Sequence, residues 1–207
     1  MHVRAPAILV AARQHGETAS VARFFTRDYG LVAAYVAGGR GRRLRPVLIP
    51  GNLLDLQLAA RSESQLPFAK VELQASRGPW LSEPLPAAAI TWVSALTATA
   101  LPERQPYPAL YQALGGVLDA ICHAPAARLW AGALVDYETL LLRELGYGGK
   151  DDRSALRTAG ERASDLDGAL AAMDRLAVPL DHYLLADRYG DVMAARQRVR
   201  ELLGRMV

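Results

Sequence analysis

The sequence predicts an α+β, multi-domain protein: a five-stranded β-barrel over residues 1–78, then an α-helical domain over residues 79–207. Three observations lead there. The apolar period changes along the chain. Leu54-Asp55-Leu56-Gln57-Leu58 and Val71-Glu72-Leu73-Gln74-Ala75 alternate as half-buried strands do, whereas Tyr107, Leu110, Tyr111, Leu114, Val117, Leu118 and Ile121 recur at helical spacing. The change falls at a cluster of breakers, Gly78-Pro79 and Pro84-Leu85-Pro86. The charge also divides there: residues 1–80 carry eleven Arg/Lys against five Asp/Glu, and residues 81–207 carry thirteen against sixteen. A net charge of +3 therefore hides a basic first part and an acidic second part.

The first strand is expected over Ala7–Ala12, a compact apolar run after Pro6. Ser20–Thr26 is the second, the turn Asp28-Tyr29-Gly30 follows, and Leu31–Ala37 is the third. The chain then passes through Gly38-Gly39-Arg40-Gly41-Arg42-Arg43 to the two alternating strands. Five short strands at roughly regular spacing suit a closed barrel or a sandwich, and five is the strand count of an OB-fold. No strand or helix is expected to run through 77–86, because proline lacks the backbone donor. In the second part Pro108 opens a helix, where the first turn accepts proline. Trp130, Leu134, Tyr137, Leu141 and Leu145 form a second stripe, closed by Gly146 as C-cap. Val192, Ala195, Val199, Leu202 and Met206 form the last helix, and shorter helices are expected over Ala87–Ala98 and Asp165–Leu176. The polar segment 148–168 reads as a surface excursion.

Several classes of function find no support. With 51% hydrophobic residues the chain is globular rather than disordered, yet no run approaches the ~18–20 apolar residues of a membrane span. The N-terminal residues Met1–Pro6 show no long apolar run ending in a small-residue cleavage site, so no signal peptide is expected, the cytoplasm is the expected compartment and no membrane partner is expected. Cys122 is the single cysteine, which rules out an intrachain disulfide and a multi-cysteine zinc site. His2, His15, His123 and His182 lack metal-ligand spacing, and Asp151-Asp152 and Asp165/Asp167 read as solvated loop. No phosphate loop, H-E-x-x-H or G-x-S-x-G motif is present. No cofactor is expected, and nothing argues for an enzyme.

What is present is a concentration of charge. Arg40, Arg42, Arg43 and Arg45 fall within six residues of a Gly-rich connection, and they repel one another unless solvent or an anion screens them. Arg13, Arg23 and Arg27 come from neighbouring strands. A barrel with basic loops holds single strands by tracking phosphates in a groove while exposed rings stack on bases at ~1–3 kcal/mol each. Phe24, Phe25, Tyr29 and Tyr35 are the candidate rings. One of Phe24 and Phe25 is expected to point inward, because neighbours on a strand alternate faces. The alternative is that the arginines solubilise a turn, the rings are core, and the barrel is a protein–protein interaction module without DNA function.

The first half resembles the RecO family of bacterial DNA-repair and recombination mediators. Gly16-Glu17-Thr18, Phe25-Thr26-Arg27-Asp28-Tyr29-Gly30-Leu31, the run Gly38–Arg45 and Leu48-Ile49-Pro50-Gly51-Asn52 carry the resemblance in order and spacing. Tyr107-Pro108-Ala109-Leu110-Tyr111 and Leu141–Gly148 look like the helices that open the family's second domain. The resemblance implies an N-terminal OB-fold followed by an α-helical domain, without nucleotide hydrolysis. It implies binding of single- and double-stranded DNA, strand annealing and pairing with RecR. It further implies engagement of the acidic tail of single-stranded DNA-binding protein, and through these steps loading of RecA. Many members carry a four-cysteine zinc element. With one cysteine that element is absent here, and its place is expected at 148–164 in a reduced helical domain.

Carried onto this sequence, the resemblance supports Arg27, Arg40, Arg42, Arg43 and Arg45 as phosphate contacts, with Arg13 and Arg23 beside them. Glu17 and Gly30 are expected to be structural, as a turn acceptor and a positive-φ position. An acidic tail ending in an apolar residue needs an apolar pocket rimmed by arginine. Arg128, Trp130 and Arg143 are the expected contributors, although the stripe spacing of Trp130 also suits a core residue.

Overall fold

The computed structural model describes residues 2–60, 62, 65–147, 165–186 and 192–207. Five strands, β1 (His2–His15), β2 (Ala19–Thr26), β3 (Gly30–Val36), β4 (Leu53–Ala59) and β5 (Phe68–Ala75), close into a barrel in the order β1-β2-β3-β5-β4. This is the α+β arrangement expected, with an OB-type barrel first and helices after it. All neighbouring pairs are antiparallel except β3 and β5, which meet in parallel at the single pair Tyr35↔Phe68.

β1 is more than twice the expected length because it serves two neighbours, β4 along His2–Ile8 and β2 along Ala7–His15. Pro6 sits one residue before the β2 ladder begins, so a proline is accommodated within the strand. An irregularity between Leu9 and Ala11 leaves Val10 as an extra residue, and the bend it introduces helps close so small a barrel. The inward row includes Val3, Ala7, Leu9, Ala22, Phe24, Val32, Ala34, Leu54, Leu56 and Leu58.

The outward row Ile8–Phe25–Leu31 is also buried. Its cover comes from later in the chain: residues 101–111 group with 1–82 as one compact unit, while 83–100 and 112–207 form the other. Arg104 N–H donates to Leu31 O at 2.8 Å, and the Tyr111 ring meets the Phe25 ring edge-on at 5.7 Å. The division expected at 78/79 does not contain this return, which depends on an apolar outer row that no local pattern reveals. Gly30, at φ 66°, permits the close approach: a Cβ there would lie 2.1 Å from Gln105 O.

The helical unit contains α1 (Pro84–Ala100), most of α2 (Pro108–His123), α3 (Ala131–Glu144), α4 (Leu166–Leu180) and α5 (Val192–Gly204). Pro84 and Pro86, expected to exclude a helix, lie in the first turn of α1. The first N–H groups of a helix have no intrahelical acceptor, so the prolines cost no bond there. Asp165 caps α4 by accepting from Gly168 N–H at 2.7 Å, and Gly146 ends α3 at φ 89°. At the centre of the unit Arg196 makes a bidentate pair with Glu138 at 2.9 and 2.7 Å and also donates to Met173 O. Trp92 Nε1–H donates to the same carboxylate at 2.7 Å. Among the described residues no helix is long and apolar enough to cross a membrane.

Candidate nucleic-acid interface

The basic connection 37–52 is a folded plug rather than an adaptable loop. Arg45 N–H donates to Gly41 O and Leu48 N–H to Leu44 O, each at 2.9 Å, so two helical turns form in sequence. Leu44, Val47 and Leu48 then share one face at i, i+3, i+4 spacing and pack on the barrel core. Arg42 and Arg43, just before that face, and Arg45, within it, are left outside and are exposed. Gly39 lies so close to β2 that a Cβ would meet Ser20 Oγ at 2.7 Å. The far end is held by Asn52, which is fully buried and fully used. Its amide donates to Pro46 O and Val47 O, and its Oδ1 accepts from Arg77 N–H at 2.7 Å. The glycines and Asn52 of the sequence motif thus fix how the arginines are presented.

Arg13, Arg40 and Arg45 converge on one cleft of about 260 Å³, lined also by Gln14, Ser20 and Leu48. Arg40 contributes structure as well as charge, because its Nη1 donates to Gly16 O and Glu17 O at 3.1 and 2.9 Å and ties the β1–β2 turn to the plug. It is therefore the main-chain carbonyl of Glu17, rather than its side chain, that accepts at this turn. Arg43 borders a second and larger groove, about 630 Å³, together with Gln57, Lys70 and Glu72. Three expected residues line neither cleft, and one of them, Arg42, is exposed on the plug itself. Arg23 donates to Glu103 at 3.0 Å and is committed to the returning segment. Arg27 sits on the β2–β3 turn, at the opposite end of that hairpin from the plug, 4.0 Å from Asp28.

The rings are arranged differently from expectation. Phe24 and Phe25 point to opposite faces, yet both are 0% exposed: Phe24 lies in the barrel core and Phe25 under the returning segment. Neither is available to a base. Tyr29 is exposed but shares the far turn with Arg27. Tyr111 nearby has its phenol pKa raised, first by burial and then by the charge of Asp28. Tyr35 instead belongs to an outer cluster, where its ring meets His15 at 5.9 Å and Phe68 at 5.2 Å, both edge-on. Phe68 and Lys70 had no place in the sequence-based strand, which began at Val71. The alternation Ala69-Lys70-Val71-Glu72, continuous with that strand, and the aromatic Phe68 after Pro67 were the available signals.

Arg128, Trp130 and Arg143 do not come together. Trp130 is 3% exposed and belongs to the helical core. Arg128 is exposed in the short turn Ala127–Leu129 before α3 and Arg143 in the last turn of α3, with most of that helix between them. The pocket expected from these three is not formed. Among the described residues, no group of three or more His, Cys, Asp or Glu side chains is placed to hold a metal ion. The expected position of the reduced zinc element, 148–164, lies outside the described residues.

Two family models match the chain: Recombination protein O N terminal over residues 1–77 and Recombination protein O C terminal over residues 82–156. The chain is 35% identical to the DNA repair protein RecO of Rhodospirillum centenum over 93% of its own length and 90% of that relative's. The chain belongs to the RecO family. Other RecO relatives align over less of their length. The one from Ruegeria sp. is 42% identical over 72% of this chain and 61% of its own, and the one from Phenylobacterium zucineum is 36% identical over 69% and 58%. The RecO N-terminal match takes in the whole barrel and the plug that carries the arginines. The C-terminal match starts at 82, within the breakers that separate the two periods.

Proposed function

We propose that this RecO-family chain is a DNA-binding recombination mediator and strand-annealing protein of the RecF pathway. In this reading it helps load RecA onto single-stranded DNA coated with single-stranded DNA-binding protein. It works by binding and positioning rather than by catalysis, with RecR and the tail of single-stranded DNA-binding protein as partners. One observation carries the reading. Arg13, Arg42, Arg43 and Arg45 have no ion pair among the described residues, although the folded plug exposes three of them close together in sequence, with Arg45 beside Arg13 in one cleft and Arg43 at the rim of another. An arrangement that keeps like charges together without internal partners is stabilised by an external polyanion, and phosphates supply one. The relatives' shared name, DNA repair protein RecO, points the same way.

The test is titration of a fluorescent single-stranded oligonucleotide between 50 and 200 mM salt, wild type against Arg13→Ala/Arg42→Ala/Arg43→Ala/Arg45→Ala. Four neutralised phosphates give a slope near −2.8 and a loss of about 50-fold in affinity across that range. The variant should bind weakly with a much flatter slope. A wild type that ignores the oligonucleotide would instead favour a barrel that docks proteins.

A further inference from the structure

We infer that His15, Tyr35 and Phe68 form a stacking platform for unpaired bases on the outer wall of the barrel, with Phe68 as the outermost ring. The inference deepens the DNA-binding reading and rests on it. Cross-strand register puts Arg13, Val21, Tyr35 and Phe68 in one row across β1, β2, β3 and β5. His15 lies two residues beyond Arg13 on the same face of β1, and Lys70 two residues beyond Phe68 on the same face of β5. Three rings thus touch in series between two cations.

Phe68 stands out among the chain's three phenylalanines. Phe24 and Phe25 are 0% exposed, and Phe68 is 62% exposed. Its contact with Tyr35 is edge-on at 73°, which occupies at most one face of the ring, so aromatic surface remains open to solvent. The surroundings decide the occupant. The cleft of Arg13, Arg40 and Arg45 and the groove of Arg43 and Lys70 both border the plug, with Glu17 and Glu72 as nearby carboxylates. An apolar peptide would bury the ring but leave these cations without counter-charge. A duplex supplies phosphates, but its bases are already stacked on one another. A single strand supplies both phosphates for the guanidinium groups and free base faces for the ring.

Stacking and phosphate contact leave different signatures, because only the second releases counterions. The experiment measures binding of an oligothymidylate, the same strand carrying abasic positions, and a duplex of equal length. Wild type, Phe68→Ala and Phe68→Trp are compared from 50 to 200 mM salt. Phe68→Ala should weaken oligothymidylate binding roughly 5- to 100-fold with the salt slope unchanged, and should leave duplex binding within about twofold. Wild type should prefer the intact strand to the abasic one, and Phe68→Ala should lose that preference. Phe68→Trp should retain affinity, and its indole fluorescence should be quenched by the strand. Wild-type affinity in Phe68→Ala with the preference kept would overturn the platform while leaving DNA binding by the plug intact. No binding by wild type would overturn both. If Phe68→Ala did not fold, an unquenched Phe68→Trp would overturn the platform.

Discussion

Arg196 in the helical unit and the arginines on the plug of the barrel unit are used in opposite ways. In the helical unit Arg196 is 4% exposed, locked on Glu138 and on the carbonyl of Met173, and Arg200 pairs with Asp174 through two bonds of 2.9 Å. In the barrel unit Arg42, Arg43 and Arg45 are exposed on a plug held by apolar contacts, by Asn52 and by the Arg40 bonds to the β1–β2 turn. A count of basic residues cannot separate these cases; the location of the counter-charge does. Where the partner is internal, arginine organises a core. Where none is provided among the described residues, it faces outward for something else to bind. The difference extends to the aromatic rings: Trp92 donates its N–H inside the helical core, while Phe68 is left on the barrel wall.

The sharpest way to break this comparison is to remove the internal counter-charge. Glu138→Ala strands Arg196 as a buried, unpaired cation and deprives Trp92 Nε1 of its acceptor. It should cost about 3–5 kcal/mol, read as the shift in a urea unfolding curve. A cost under about 1 kcal/mol would mean that water or a second carboxylate reaches Arg196, and the helical core would then resemble the barrel surface more than claimed. The corresponding lesion in the barrel unit is steric. Gly30→Ala places a methyl group against the Gln105 carbonyl at a backbone angle disfavoured for L side chains. The left-handed conformation contributes about 1–2 kcal/mol and the overpacking about 1–3 more. Its unfolding curve should shift accordingly and expose Phe25, while the plug and its arginines keep their own anchors. A neutral Gly30→Ala would show that the 101–111 segment is not held against β3.

Much of the barrel was legible because its signals are local. Alternation marked β4, the turn Asp28-Tyr29-Gly30 separated β2 from β3, and helical spacing marked α2, α3 and α5. Missed features were those set by partners distant in sequence. Residues 101–111 settle where they do because Ile8, Phe25 and Leu31 form an apolar row on the outside of the barrel, and the members of that row come from three strands. The plug read as a basic, Gly-rich connection because Arg42, Arg43 and Arg45 surround Leu44, and the common face of Leu44, Val47 and Leu48 appears only once the turns are formed. The site was legible as a charge cluster and less so as a surface. Arg23 fell away because Glu103, eighty residues later, neutralises it. Phe68 was missed because its strand begins three residues earlier than the alternation around Val71 suggested. Trp130 could be assigned to the core by spacing alone, and the structure agrees with that spacing rather than with a pocket.

The smallest effect expected concerns the exposed pair Asp174–Arg200, which tests whether pairing alone makes an arginine structural. The Arg200 hydrogen bond holds the Asp174 pKa below its usual 3.8, with burial opposing and the Arg200 charge adding to it. A carboxyl depressed in the folded state contributes stability that is complete above the unfolded value and is lost as pH falls through the folded one. Both side chains are well solvated, so the contribution should be no more than about 0.5 kcal/mol at neutral pH. Asp174→Asn should therefore lower the urea midpoint slightly at pH 7, and the gap should close as pH falls from the usual carboxyl value through the depressed folded one. Asp136 carries the opposite sign: burial raises its pKa, so its charge costs stability at neutral pH and protonation relieves that cost. If the Asp174→Asn gap persisted in acid, the pair would act through packing rather than charge. The line drawn between internal and outward arginines would then rest on Arg196 alone.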